Sequence, residues 1–448
     1  MYRYRYSSMM ENVWIMGCSN QGRDGKMNIQ IQRLIESVKE KYRLGNYHLK
    51  RHHFYDEVTL LNNTSYFLCM EWFPNQLEAD EEEESNPEGT AVIEVDVNTG
   101  ETKRLIFVGG KSYADQPILK DSGTETVIQW IEQETGMSYW KQFSLSDETE
   151  RRMIFKACIE GVDCHPAGIL EVQFDASGFL TLYSRTGQFP SKQIIHNETL
   201  QVPIEECREI IMSRLKRKDI PIFPEGKLLP VLYFDKIFIK NEDRTVIEED
   251  RWEDNRKGID IGEVLRWDSP CTEQFRASEI EWELDVSEEQ ALANLQGTGH
   301  MPLGKAEQDT YRTAVINFMR QEYPEESGEW VLIKIYREKG YVFSILKKNA
   351  HNTEALERKL KVVIDRTLLK AVQYFDNRWM AEQYNSFPLS GTPFVSVPEA
   401  FEKIKGLFEL KQAYLYDFHE DKYVYGAILD CGYGVDAASG ELVHLGDL

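Results

Sequence analysis

The pattern V-D-x-x-[ST]-G-E occurs twice in this 448-residue chain, as Val95-Asp96-Val97-Asn98-Thr99-Gly100-Glu101 and as Val435-Asp436-Ala437-Ala438-Ser439-Gly440-Glu441. A shorter version is Phe174-Asp175-Ala176-Ser177-Gly178. Carboxylates interleaved with small oxygen-bearing residues suggest calcium chemistry: Asp96, Asn98 and Glu101 begin like a calcium loop, and Asp436 with Glu441 echoes them. A full loop needs further oxygen ligands and ends on a glutamate at about the twelfth position, a spacing that is missing here. Turn chemistry explains the same residues more simply. The aspartate side chain caps turn N–H groups, and glycine takes the left-handed backbone a short hairpin requires. Asp96, Gly100, Glu101, Asp175, Gly178, Asp436, Gly440 and Glu441 are therefore expected to be structural, with no catalytic, cofactor-binding or metal-binding role.

Other reactive types are weaker signals. His52-His53 sits beside Lys50 and Arg51, but adjacent strand residues point to opposite faces and are poorly placed to share a metal. Cys158, Cys164 and His165 surround Gly161 in a loose spacing, and Pro166 with Gly168 reads as an ordinary loop. Phosphate-cradling, dinucleotide-binding, zinc-helix and nucleophile-elbow motifs do not occur. Two carboxylates from distant parts of the chain meeting in a cleft would still make a hydrolase, and among so many acidic residues the sequence selects no pair.

Each version of the turn ends an alternating strand. Ile93, Val95 and Val97 face one way with Glu94 and Asp96 opposed; Leu170, Val172 and Phe174 repeat the alternation. Amphipathic helices precede these strands. Ile31, Leu34, Ile35, Val38 and Tyr42 mark one, ended by Gly45, and Val127, Trp130 and Ile131 a second. Ile204, Cys207, Ile211 and Leu215 mark a third; Tyr311, Ala314, Val315 and Phe318 a fourth. The fifth, with Phe401, Ile404, Leu407 and Phe408, follows Ser396-Val397-Pro398-Glu399, which has capping-box spacing. The predicted fold is α+β: tandem units of a helix plus an antiparallel sheet, packed in a row. The boundaries are an extension 1–27, then units at 28–115, 116–190, 191–275, 276–385 and 386–448, with the main linker or insertion within 241–308. In the fourth unit Val362-Val363-Ile364-Asp365-Arg366-Thr367 lacks the glycine, so its turn is expected to be built differently or paired less tightly.

Apolar residues at 42% and aromatics at 12% supply packed cores. A formal charge of −23 argues against nucleic acid and anionic membrane as partners, because phosphate binding needs a basic face. Glu78 to Glu84 reads as a solvated acidic loop after the strands around Tyr47–Tyr55 and Tyr66–Phe73. The seven scattered cysteines include no C-x-x-C pair and suit free thiols in a reducing cytosol. Ile15-Met16-Gly17-Cys18 looks superficially like a lipoprotein box, but Glu11 and Asn12 interrupt the apolar core that a signal requires. Cytoplasmic placement is the expectation, with an envelope lipoprotein anchored at Cys18 as the alternative and Met27 as a second candidate start.

The amphipathic helix, the aromatic hairpin Tyr414-Leu415-Tyr416…Tyr423-Val424-Tyr425 and the strand ending V-D-A-A-S-G-E together resemble a PepSY-type repeat. They are most similar to the YcdB/YcdC-type repeated domain of bacilli and related bacteria. The resemblance is strongest over Ser396–Leu445, fair over Asn28–Phe107 and weak elsewhere. It implies no catalytic residues. It implies instead binding and restraint of a peptidase, or regulation at the cell envelope, with a protein or peptide partner and no cofactor.

Overall fold

Ile31, Ile35, Val38 and Tyr42 recur at helical spacing and bury one stripe of helix α1 (Ile29–Lys41). Asn28 caps its start by accepting from Gln30 N at 2.8 Å. The helix stops before Gly45, with Arg43 in the left-handed region at φ 56°. The computed structural model describes residues 27–58, 64–76, 86–192, 194, 198–247, 258–269, 271, 273–280, 286–293, 303–338, 340–349, 356–417, 420 and 422–448. Cys18, the Glu78–Glu84 run and part of the stretch 241–308 read as linker or insertion lie outside them.

After α1 come β1 (Tyr47–Val58), β2 (Thr64–Pro74), β3 (Ala91–Asp96) and β4 (Thr102–Phe107). Helix α2 (Thr124–Thr135) leads into β5 (Phe143–Thr149), β6 (Arg152–Ile159), β7 (Val162–His165), β8 (Ile169–Phe174) and β9 (Leu180–Thr186). A short α3 (Arg208–Arg214) precedes β10 (Leu215–Ile222), β11 (Lys227–Phe234), β12 (Ile237–Lys240) and β13 (Val246–Ile247). Next are β14 (Gly258–Leu265), α4 (Glu288–Ala293), α5 (Lys305–Glu322), β15 (Trp330–Glu338), β16 (Tyr341–Lys348), β17 (Lys359–Asp365), β18 (Lys370–Asp376) and α6 (Arg378–Asn385). The chain closes with α7 (Val397–Ile404), β19 (Glu409–Asp417), β20 (Lys422–Asp430), β21 (Tyr433–Asp436) and β22 (Leu442–His444). The architecture is α+β, with strand predominating.

Three sheets contain these strands. The largest has the order β1-β2-β3-β4-β9-β8-β6-β7-β19-β20-β12-β13, with β5 also on β6. A four-stranded sheet runs β10-β11-β21-β22 and a five-stranded sheet β14-β15-β16-β17-β18. The stretches predicted at 28–115 and 116–190 share one sheet, because β4 pairs antiparallel with β9 through Leu105↔Tyr183. Both α1 and α2 lie over that sheet, and one core joins Ile35 and Val38 to Ile93, Leu105, Val127, Ile131, Phe155 and Tyr183. The Tyr42 hydroxyl, 2.6 Å from Thr102 Oγ1 and 3.0 Å from Glu134 Oε1, ties the two helices at the seam.

Val162–His165, read from sequence as part of a loop, is a strand: β7 pairs in parallel with β19 through Tyr414↔Cys164 and Leu415↔His165 and joins the N-terminal strands to the C-terminal hairpin. Strands β5 and β14 and helices α4 and α6, each eight residues or fewer, lie outside the elements read from sequence. Strand β14, inside the stretch read as linker or insertion, adds to the edge of the five-stranded sheet. Helix α5 covers that sheet through Val315, Phe318 and Met319 against Trp330, Leu332 and Leu346. Helices α3 and α7 share a third core with Phe234, Ile237, Ile239, Leu429 and Val435. The α7 capping box forms as its spacing predicts: Glu399 N donates to Ser396 Oγ at 3.4 Å and Ser396 N to Glu399 Oε2 at 2.8 Å.

Tyr47 links the entry of this core to its connections. Its hydroxyl donates to Gly89 O at 3.1 Å and accepts from Tyr113 N at 2.8 Å, and burial pushes its pKa up to about 12. The folded state then holds the phenolic proton more tightly than the unfolded chain, which releases it near 10. Stability from this group is complete below pH 10 and lost as pH rises from there through about 12. Denaturation midpoints measured between these limits should fall less steeply for Tyr47→Phe than for the parent.

Candidate functional site

Each copy of the V-D-x-x-[ST]-G-E pattern ends a strand and enters a tight turn. Asp96 N donates to Glu101 O at 2.9 Å, Gly100 N returns to Asp96 O at 2.8 Å, and Gly100 has φ 72°. One oxygen of Asp96 accepts from Asn98 N and Thr99 N at 2.8 and 2.9 Å. The second copy is built likewise: Asp436 N to Glu441 O at 2.9 Å, Gly440 N to Asp436 O at 2.8 Å, and Gly440 at φ 77°. Asp436 accepts from Ala438 N at 2.8 Å and from Ser439 Oγ at 2.7 Å. In the shorter turn Asp175 accepts from Ser177 N and Phe179 N at 2.8 and 2.9 Å, and Gly178 has φ 80°. Glu101 faces outward and meets Arg185 of β9 at 2.8 Å across the seam, while Glu441 is exposed. The aspartates bind backbone, and the two glutamates do not converge on them. No group of three or more His, Cys, Asp or Glu placed to hold a metal occurs among the described residues.

The same turn occurs where sequence expected something different. Between β17 and β18, Asp365 accepts from Thr367 N and Leu368 N at 2.7 and 2.8 Å, and Leu369 N donates to Asp365 O at 2.9 Å. Leu369 takes the glycine's place at φ 54°. Between β12 and β13 the turn forms without the aspartate: Lys240 N donates to Thr245 O at 2.9 Å, and Arg244 stands at φ 60°. The backbone geometry is set by the short span of four or five residues between paired strands, and glycine only makes it cheaper.

His52 and His53 lie on β1, at one end of the largest sheet, pairing with Met70 and Cys69. Being neighbours on a strand, they face opposite ways. Cys158 pairs with Asp163 across the β6–β7 hairpin, so Cys158 and Cys164 also point to opposite faces. His165 stacks on Phe238 at 4.4 Å. The suspected Cys158–Cys164–His165 grouping is therefore dispersed, and burial raises the pKa of both thiols.

Sequence reasoning missed two buried polar groupings. On the sheet face away from α1, Glu94 is 2% exposed and accepts from the Tyr55 hydroxyl at 2.9 Å, with Arg104 Nη1 at 3.5 Å. Lys103 sits over the Phe67 ring at 4.5 Å, and Glu71, 6% exposed, accepts from Arg51 at 2.6 Å. Alternation alone assigns Glu71 and Glu94 to an outer, wet face. The second grouping joins α5 to the five-stranded sheet. Arg358 lies over Trp330 and Tyr323 at 5.2 and 5.6 Å, with Asp376 at 2.9 Å and Glu326 at 3.7 Å. Tyr323 donates to Asp376 at 2.6 Å and Trp330 Nε1 to Glu326 at 2.7 Å. Burial, then the adjoining carboxylates, raises the pKa of Tyr55 and Tyr323 well above the ordinary phenol range, so both stay protonated. Every carboxylate here has a cationic partner or a phenol donor. These arrangements rigidify, and none offers an activated nucleophile or an unmatched acid–base pair. A shallow open depression of about 550 Å³ between α5 and the turns at Gly340 and Leu369 includes Glu307, Tyr311 and Arg366.

Fold and site together define an α+β protein whose singled-out carboxylates build turns. No family model and no curated protein matches the chain. Among solved structures, the C-terminal domain of YpeB from Bacillus megaterium aligns with 79% of this chain and 99% of its own at 7% identity, with a TM-score of 0.23. A superposition this loose carries no argument about fold or function. No helix among the described residues is long and apolar enough to cross a membrane.

Gly100→Val should cost about 1–3 kcal/mol by forcing a branched residue into positive φ. Leu369→Gly should do the reverse. Relief of a left-handed leucine is worth roughly 1–2 kcal/mol, and glycine's freedom in the unfolded chain takes back about 0.5–1. The net is a gain of about 0–1.5 kcal/mol, readable as a higher urea midpoint at unchanged slope.

Proposed function

We propose that the chain is a non-enzymatic binding protein built from five helix-plus-sheet units of PepSY type, and that it takes an extended segment of a protein or peptide as an added strand. Supporting the repeat reading is the recurrence of one turn at Asp96, Asp365 and Asp436, each closing the hairpin that ends a helix-led group of strands. Strand addition requires an open edge. The observation that carries the proposal is β14, which pairs with β15 on one side and, among the described residues, with no strand on the other.

Other edges are blunted or broken: β5, which pairs only with β6 among the described strands, has a register shift between Leu145 and Asp147. Strand β10 presents Lys216, Arg217 and Lys218 together with Pro221, residues that discourage edge pairing, and β13 and β22 are two and three residues long. Strand β1 has Val286 N donating to Phe54 O, and β18 has Ser278 N donating to Val372 O. Strand β14 carries no lysine, arginine or proline; it is bulged at Ile261-Gly262, with Gly262 at φ 67°, and shows half-buried Ile259 and Ile261 beside Asp260 and Glu263. A chain of charge −23 favours a basic segment in that position. Restraint of a peptidase is the particular form of binding that the PepSY-like features suggest.

The test combines affinity capture from cell extract with hydrogen exchange on the captured complex. Capture should return a reproducible partner, and residues 258–265 should exchange at least tenfold more slowly in its presence. Repeated failure to capture a partner removes the binding reading. A partner that protects only other residues removes the β14 edge.

A further inference from the structure

The length of one connection decides where each second hairpin goes. Residues 75–90 separate β2 from β3, and residues 349–358 separate β16 from β17; in both cases the third strand folds back beside the second. Two other groups are joined at this point by two residues only: Asp235-Lys236 between β11 and β12, and Cys431-Gly432 between β20 and β21. Reversal over two residues strongly favours a turn whose first central residue has positive φ. None of these four residues has it. The chain therefore continues from one sheet into another, and the hairpins change places. Strand β11 takes β21, through Val231↔Asp436 and Leu232↔Val435, while β20 takes β12, through Ile237↔Leu429 and Phe238↔Ile428.

The exchange is reciprocal and keeps register. In the N-terminal sheet Phe67 faces Asp96 and Val97 N donates to Tyr66 O at 2.8 Å. In the exchanged sheets Val231 faces Asp436, Ala437 N donates to Pro230 O at 2.7 Å, and Asn241 N donates to Tyr425 O at 2.9 Å. Both four-strand orders, β10-β11-β21-β22 and β19-β20-β12-β13, have the form seen in β1-β2-β3-β4. Both helices of the exchanged groups pack into one core. Lys240 of β12 forms an ion pair with the buried Asp417 of β19.

We propose that residues 200–247 and 397–448 form one reciprocally strand-exchanged body, closed within a single chain, with the two-residue connections as the device that forces the exchange. Residues 258–376 are an insertion between its halves. An exchange satisfied within one chain leaves no hairpin to offer a second copy. This inference rests on strand order and connection length and is independent of the binding reading.

Paired cysteines test it in the full chain. Antiparallel partners are close enough for a disulfide. In a glutathione buffer, Leu232→Cys with Val435→Cys and, separately, Phe238→Cys with Ile428→Cys should cross-link within one chain, giving a faster monomer band and a linked peptide pair. Inserting eight Gly/Ser residues between Asp235 and Lys236 gives β12 room to fold back on β11, and both yields should drop at least threefold. A folded double variant that stays reduced, a linkage between two chains, or an insertion that leaves the yields unchanged overturns the proposal. If the core cysteines prevent folding, the parent chain serves. Zero-length carbodiimide coupling should join Lys240 to Asp417 or to Glu420, whose carboxylate is 3.9 Å away, within the monomer. No such linked peptide, or one found only in dimers, overturns it equally.

Discussion

A single carboxylate oxygen accepting two successive backbone N–H groups fixes the ends of the sheets in this protein. At Asp96 and Asp365 the same oxygen serves both donors, and at Asp436 the second oxygen takes the Ser439 hydroxyl instead. Side-chain periodicity in a strand is two, so a slip of one residue would invert every core position beyond the turn. Holding that turn therefore holds Ile93, Val95 and Leu105 inside, and likewise Val362, Ile364 and Val435. Where the aspartate is absent, at Lys240, the flanking pairings of β12 with β20 and β13 hold the register.

Much of this organisation is legible in sequence because it is local. The stripes of α1 and α5, the capping box at Ser396 and Glu399, and the alternation ending in Asp96 follow from spacing over a few residues. What was not legible is non-local. The four residues of β7 carry too little pattern to announce a parallel pairing with a strand some 250 residues away. Glu71 and Glu94 alternate as solvent-facing residues do, and only the long side chains of Arg51, Lys103, Arg104 and Tyr55 laid across the sheet make them interior. Leu369 shows a different limit: a propensity rule assigns glycine to that position, and the surrounding ladder overrides it.

The acidic charge and the buried ion pairs have separate roles. Lys216, Arg217 and Lys218 on β10 are exposed on a strand edge, where charge prevents association and contributes little to stability. Arg358 is 8% exposed between two aromatic rings and two carboxylates, so removing the guanidinium would leave the largely buried Asp376 without its cation. That cluster fastens the last turn of α5 to β17 and β18 and gives the five-stranded sheet its own anchor, apart from the cores on either side.

The pairing of Ile237 with Leu429 has a consequence for how the chain is made. A ribosome adding ~5–20 residues per second delivers the partner strand roughly ten to forty seconds after β12 has emerged. Throughout that interval β11 and β12 have no third strand to join, and their apolar faces, Leu232, Phe234, Phe238 and Ile239, wait uncovered. Between β4 and β9 the delay is shorter, Leu105 and Tyr183 being 78 residues apart, whereas β7 waits longer still for β19. Synthesis thus passes through a period of exposure set by chain order alone, and holdase chaperones act on chains in that condition.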